Sequence, residues 1–180
     1  MSTRRMGVFL ALVVALIGTS PAFAEGEGRV EGFAGYYFGE ELAEDVSYGA
    51  RGAWRPSPGW GLMASFESFS LSGDDGYGES NVDADIAHFE VSFLAYPTGK
   101  SFEMFCGLGY ADVSVDTHVP GAAVDLDKGS LSLHVGLGYR AALGDTFYLR
   151  PEVRARTYDV ADSTIDVTAS LALGFSWAND

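Results

Sequence analysis

The sequence has no glutamine, two lysines (Lys100 and Lys128), two asparagines (Asn81 and Asn179) and one cysteine. A water-soluble β-protein of this size displays such polar side chains over its whole surface, so their scarcity argues that much of the exterior does not face water. The lone Cys106, in the run MFCGLGY, excludes an intrachain disulfide and reads as a small, packed apolar residue rather than a nucleophile. No G-x-G-x-x-G, P-loop or metal-ligand cluster is present, so no cofactor is expected. After residue 18 there is no second long apolar run, and therefore no further candidate for a membrane-spanning helix.

What the chain does have begins with a leader. Arg4 and Arg5 precede the apolar run VFLALVVALIG (8–18), and Thr19-Ser20-Pro21-Ala22-Phe23-Ala24 ends in an A-x-A site. Residues 1–24 thus read as a signal peptide cleaved after Ala24. The Arg4-Arg5 pair hints at twin-arginine export, but the strong apolar core favours ordinary unfolded export. With no cysteine near residue 25, a lipid-modified N-terminus is not expected. The remaining segment, 25–180, is enough for one domain. Removing Arg4 and Arg5 leaves nine basic against 25 acidic residues, a net charge of −16, which argues against nucleic acid as a partner.

Alternation of apolar and polar residues then predicts eight strands, over 29–39, 45–55, 60–71, 84–96, 101–115, 129–142, 146–158 and 164–177. The connections alternate too. Pro56-Ser57-Pro58-Gly59, Pro97-Thr98-Gly99 and Leu143-Gly144-Asp145 are tight turns, whereas 40–44, 72–83, 116–128 and 159–163 are mostly longer and acidic. Short turns at one end and loops at the other describe an all-β, eight-stranded antiparallel up-and-down transmembrane β-barrel. The acidic excess concentrates at the loop end, for example at Glu40, Glu41, Asp74, Asp75, Asp116, Asp125, Asp127, Asp159 and Asp162. Solvated loops explain it, and the ligand spacing of an EF-hand is absent.

The last strand presents Ile165, Val167, Ala169, Leu171, Leu173, Phe175 and Trp177 on one face, and Asp166, Thr168, Ser170, Ala172, Gly174 and Ser176 on the other. Lysine is confined to a turn and a loop, while the polar faces hold glycine, serine, arginine and glutamate, which suit a crowded interior. The apolar faces end in aromatic residues: Trp54, Trp60, Phe93, Phe102, Phe147 and Trp177 toward the short turns, Tyr36 and Tyr110 toward the loops. Such belts fit two membrane interfaces, and a soluble lipocalin-like barrel with its apolar face inward would have no use for them.

The stretch FYLRPEVRAR (147–156) puts Arg150, Glu152, Arg154 and Arg156 on one parity, which by this assignment is the lumen side. The same parity sends Glu31, Arg51, Glu67, Glu90, Glu103 and Arg140 inward, together forming a lumenal ionic cluster. Phe33, Tyr37, Phe69 and Tyr148 are expected on the same inner face. Two features interrupt the pattern: Pro151, which brings no ladder donor, predicts a bulge or a missing bond, and Val113 and Val115 break the alternation of the fifth strand.

FCGLGYADVSV, HVGLGYRAAL, YLRPEVRAR and the closing LALGFSW resemble the small outer-membrane β-barrel family that includes the OmpA transmembrane domain and OmpX, over Gly28 to Trp177. The resemblance implies residence in the outer membrane of a Gram-negative bacterium. It also implies a closing aromatic residue recognised by the barrel-assembly machinery, a part matched by Trp177 with Phe175 beside it, although Ala178, Asn179 and Asp180 follow. The peptidoglycan-binding domain of larger relatives is not matched.

Three functions are compatible with such a barrel. The first is a non-catalytic role in envelope integrity or surface interaction, with outer-membrane lipid around a monomer and a surface ligand met through loops 72–83 and 116–128. The second is a small passive pore. The third, a lipid-modifying enzyme, needs a nucleophile and a base in reach of each other. His88 and His134 fall on lumen faces, His118 falls in a loop, and a lipid-facing His-x-Ser-Asn pattern is missing. The first reading accounts for most of the sequence, with no catalytic residue assigned.

Overall fold

The computed structural model describes residues 26–38, 45–74, 81–99, 101–119, 122–158 and 165–179. The expected leader 1–24 with its expected cleavage site, and the acidic segments 40–44 and 159–163, lie outside the described residues. Eight long strands form the wall: β1 (Gly26–Phe38), β2 (Asp45–Ser57), β3 (Trp60–Asp74), β4 (Asn81–Ala95), β5 (Phe102–Val119), β6 (Ala122–Tyr139, continued by Ala141–Ala142), β7 (Phe147–Tyr158) and β8 (Ile165–Asn179). Each pairs antiparallel with its sequence neighbours, and the β1–β8 pairing closes the ring.

The closure is staggered. Paired residues followed once around the wall run from Gly28 through Trp54, Leu62, Phe93, Cys106, Val135, Ala155 and Val167 to Phe38, which is ten residues further along β1. For eight strands that stagger implies a tilt of about 40° to the barrel axis. The outward apolar run on β5 from Met104 to Tyr110 and its counterpart on β6 from Tyr139 to Leu131 are exposed at every second residue. At about 3.3 Å per residue and that tilt, these runs span on the order of 20 Å, close to a hydrocarbon core.

At the short-turn end the backbone is held tightly. Gly99 (φ 93°) and Gly144 (φ 130°) adopt conformations that side chains resist. Leu143 N–H donates to Phe147 O at 2.8 Å, and Tyr96 N–H reaches Gly59 O at 3.0 Å. The aromatic belt lies here on the outer face: Trp60 stacks on Phe93 with ring centroids 6.0 Å apart, and Phe147 meets Phe175 edge-on at 5.6 Å.

Four details differ from the sequence reading. The two central hairpins run further than expected: β3 and β4 remain paired to Asp74↔Asn81, and β5 and β6 to Val119↔Ala122. Most of the expected loops 72–83 and 116–128 are therefore strand, because cross-strand hydrogen bonds outweigh the weak β-propensity of Asp and Gly. His118, expected in a loop, is part of β5 for the same reason. The pairing runs unbroken through Val113↔Lys128 and Val115↔Leu126, so the lapse in alternation marks no shift of register. Finally, Cys106 is exposed on the outer wall, where lipid rather than protein surrounds it. At Pro151 the β6–β7 ladder lapses after Gly138↔Glu152 and resumes in the same register at Ala141↔Leu149. Proline's missing N–H explains the gap.

Val135 sits midway along the outward run of β6 and is 56% exposed. Val135→Arg should cost about 2–4 kcal/mol of folding stability in lipid vesicles, measured by urea titration, because it drives a charge into hydrocarbon.

Candidate functional site

A closed wall of eight strands leaves an interior about as wide as two facing side chains, so every inward residue must find a partner there. The arginines meet that demand by alternating with glutamates along the axis. Nearest the short turns, Glu27 accepts from Arg140 at 2.6 Å and from Arg55 at 3.4 Å. The Arg55 guanidinium also donates to the carbonyls of Ser57 and Pro58 and lies 4.2 Å from the Tyr96 ring centroid. One level up, Glu103 holds Arg29 at 2.9 Å and Arg150 at 2.8 Å. Glu31 accepts from the Tyr148 hydroxyl at 2.7 Å and from Arg150 at 3.4 Å, with Arg29 and Arg51 beside it at 3.4 and 3.3 Å.

Glu152 is the hub of the middle. It pairs with Arg51 and Arg150, and accepts from Arg154 at 2.6 Å. Above it Glu90 receives Arg154, Arg156 at 2.6 Å and the Ser65 hydroxyl at 3.1 Å, while Arg156 also bonds Glu67 and donates to Thr168 at 3.0 Å. The column is roofed by Tyr37 stacked on Phe69 at 4.6 Å, with the Tyr37 hydroxyl on Asp166. On one side, toward the short turns, Met63, Leu94, Tyr96 and Phe105 make an apolar wedge, and Arg150 and Arg154 lie over the Phe105 ring at 5.6 and 5.2 Å.

Of the sequence-nominated residues, Glu31, Arg51, Glu67, Glu90, Glu103, Arg150, Glu152, Arg154 and Arg156 are at most 5% exposed and belong to one connected network. Arg140 sits differently. It occupies the break in β6, half-buried at the mouth, with its backbone N–H on Ser101 O at 2.6 Å. Phe33, Tyr37, Phe69 and Tyr148 are all buried inside.

Sequence reasoning omitted Arg29, Arg55, Glu27 and Asp166 from the network, although the signal was available. Arg29 and Glu27 share the parity of Glu31, and Arg55 that of Arg51. Small inner residues make the room. A Cβ on Gly138 would stand 2.8 Å from Arg150 Nε, and one on Gly174 would stand 2.2 Å from the Tyr148 ring.

One arrangement has the outline of a catalytic triad: Ser92 Oγ lies 2.8 Å from His134 Nε2, and His134 Nδ1 lies 3.6 Å from Glu90 Oε1. Its chemistry is closed off. Ser92 and His134 are 1% and 4% exposed, Glu90 is already committed to two arginines, and the surrounding backbone N–H groups are spent in the ladder, leaving none to form an oxyanion site. The cavities at the rim, of about 270 and 230 Å³, are lined by Glu27, Arg55, Arg140 and turn residues, not by Ser92 or His134. His88 is likewise engaged, with Tyr158 at 3.1 Å. Among the described residues no group of His, Cys, Asp and Glu is placed to hold a metal ion.

Trp177 and Phe175 lie on the outer wall at the β1–β8 seam. Trp177 pairs with Gly28, and a Cβ there would come within 2.5 Å of the indole. The ring therefore lies flat across β1, with Phe175 next to it at 5.8 Å.

A family model described as the outer membrane protein beta-barrel domain matches residues 9–178. Among solved structures, a major outer membrane protein of Thermus thermophilus is similar at 14% identity, covering 84% of this chain and 99% of its own, with a TM-score of 0.65. Ail of Yersinia pestis, in complex with the heparin analogue sucrose octasulfate, is similar at 14% identity, 85% and 99% coverage and a TM-score of 0.63. Neisserial surface protein A is similar at 10% identity, 83% and 96% coverage and a TM-score of 0.57. At these identities the likeness is one of fold. No curated protein matches the sequence significantly.

If Trp177 carries the signal for assembly, Trp177→Ser should lower the fraction of chains reaching the folded barrel more than deletion of Ala178 to Asp180 does. Heat-modifiable migration on gels measures both. Equal losses would assign the signal to the tail as well.

Proposed function

The chain belongs to the outer membrane protein beta-barrel domain family, and on that premise we propose that it is a non-catalytic barrel of the outer membrane with a side-chain-filled lumen and a surface role carried by its acidic loop end. Residues 1–24 direct export and are removed after Ala24, and the barrel-assembly machinery takes up the last strand through Phe175 and Trp177. The folded protein is a monomer surrounded by outer-membrane lipid. Its short turns face the periplasm and its loops the exterior, the orientation usual for such barrels.

The observation that carries this reading is the buried column centred on Glu152. Three arginines converge on one carboxylate. Opposite charges at this depth satisfy each other, and side chains occupy the path an ion would need. A wide passive pore would instead have an inward layer solvated by a continuous channel. The net charge of −16 on the segment 25–180 makes cationic partners the natural ones. A polyanion such as the heparin analogue in the Ail complex would be repelled at a distance of about a Debye length.

Four experiments test the proposal. In planar bilayers the purified protein should show no large, steady conductance, and a sustained open channel would put the passive-pore reading first. Glu152→Leu should cost about 3–5 kcal/mol in urea unfolding because it strands buried guanidinium charge, while Val153→Leu, facing lipid, should change little. On intact cells, protease added outside should cut at the acidic loop end and leave the strands whole. Recovery of the protein in the soluble periplasmic fraction would overturn the membrane assignment.

A further inference from the structure

One cavity at the short-turn mouth is bordered by both faces of the wall at once. It encloses about 270 Å³, with Glu27, Arg140 and Ser176 on its lumen side and Phe147 and Trp177 on its lipid side. Asp145, exposed on the turn between β6 and β7, adds a carboxylate to the lining. The space follows from the break beside Pro151. There Arg140 leaves the ladder with its N–H on Ser101 O, and the chain turns back through Gly144, where an added Cβ would meet nothing within 4 Å. Ala142 and Ala178 are too short to fill what remains.

The two kinds of lining ask for an amphiphile. Phe147 and Trp177 belong to the aromatic belt, each beside Phe175 at 5.6 and 5.8 Å, and such a belt lies at the level of lipid headgroups. The Arg140 guanidinium is held by Glu27 at 2.6 Å and lies 5.2 Å from the Tyr148 ring centroid. Guanidinium is the side-chain group best matched to phosphate oxygens. Asp145 and Glu27 bring two carboxylates to the same cavity, which repel a plain anion and attract an ammonium group. The volume falls just below the range of whole-ligand pockets, ~300–1,000 Å³, so it has room for a headgroup and not for acyl chains. Those would run over Phe147 and Phe175 toward the membrane interior. The neighbouring cavity of about 230 Å³ shares Glu27 but differs in both respects: Arg55 is spent on the carbonyls of Ser57 and Pro58, and the lining holds no aromatic residue.

We propose that the larger cavity binds the headgroup of a zwitterionic phospholipid in the leaflet around the short turns, with its phosphodiester on Arg140 and its primary ammonium between Asp145 and Glu27. A lipid held there ties β1, β7 and β8 to one leaflet. The site goes beyond the surface role and does not need it; it rests only on residence of the barrel in a bilayer.

The test titrates the purified full chain, in non-ionic detergent micelles, with short-chain phosphatidylethanolamine, phosphatidylcholine and phosphatidylglycerol and with free phosphorylethanolamine, following the amide chemical shifts of residues 140–147 and 176–178. Phosphatidylethanolamine should bind about tenfold tighter than phosphatidylcholine, whose ammonium has no N–H to donate, and than phosphatidylglycerol, which has no ammonium. Free phosphorylethanolamine should bind at least about tenfold weaker than the lipid. Equal binding of the two would make this a site for soluble phosphoesters and overturn the lipid assignment. Asp145→Asn, a change in an exposed turn, should erase the preference for phosphatidylethanolamine over phosphatidylcholine, and Arg140→Gln should weaken all three lipids. Heat-modifiable migration verifies that both variants are folded. Equal binding of the three lipids to the unaltered protein, an unchanged preference in Asp145→Asn, or shifts confined to other parts of the chain would each overturn the proposal. The titrations of the unaltered protein decide the matter even if Arg140→Gln fails to assemble. Recovery of the protein in the soluble fraction bears instead on the membrane assignment, so the two failures are distinguishable.

Discussion

A strand placed in hydrocarbon has no water to satisfy its backbone, so each N–H and C=O must be met by another strand, and the sheet has to close. With eight strands and a stagger of ten residues, traced from Gly28 back to Phe38, closure fixes an interior too narrow for bulk water and too wide to be empty. The rest of the molecule follows from that constraint. Inward positions must be filled, and polar groups placed there must be paired.

Arginine and glutamate answer both requirements. They are long enough to cross the lumen and rigid enough, as guanidinium and carboxylate, to pair in fixed geometry. All seven arginines of the segment 25–180 lie in the lumen or at its short-turn mouth, opposite Glu27, Glu31, Glu67, Glu90, Glu103, Glu152 and Asp166. Removing one partner is costlier than the pair is stabilising, because the survivor stays buried and charged. The same logic explains the Ser92–His134–Glu90 arrangement. Hydrogen-bonded residues of catalytic type arise wherever polar side chains are packed to mutual satisfaction, and here no path for a substrate leads to them.

Where the wall rises past the lipid the constraint lapses. There the central hairpins stay paired as far as Asp74↔Asn81 and Val119↔Ala122, and the described pairing of β7 with β8 starts at Thr157↔Ile165. The aspartates that would be ruinous in hydrocarbon are tolerated on this projection, and they make one end of the protein chemically distinct from the other.

Much of this was legible in the amino-acid order. Alternation over 147–156 and 165–177 placed each strand and separated its faces, because a period of two is imposed by the pleat regardless of what surrounds it. The scarcity of lysine, asparagine and glutamine identified which face met lipid. Parity also nominated most of the lumenal residues, and applied without omission it reaches Arg29, Arg55 and Glu27 as well. Parity gives a direction and no partner, however. That Glu152 gathers Arg51, Arg150 and Arg154, that Arg140 leaves the strand beside Pro151, and that Asp83, Asp116 and Asp125 share a row depend on stagger between strands distant in sequence. The length of the central hairpins was hidden too, since Asp and Gly read locally as loop. Only closure of the barrel, which fixes every strand against two others at once, decides register, and with it which charges meet.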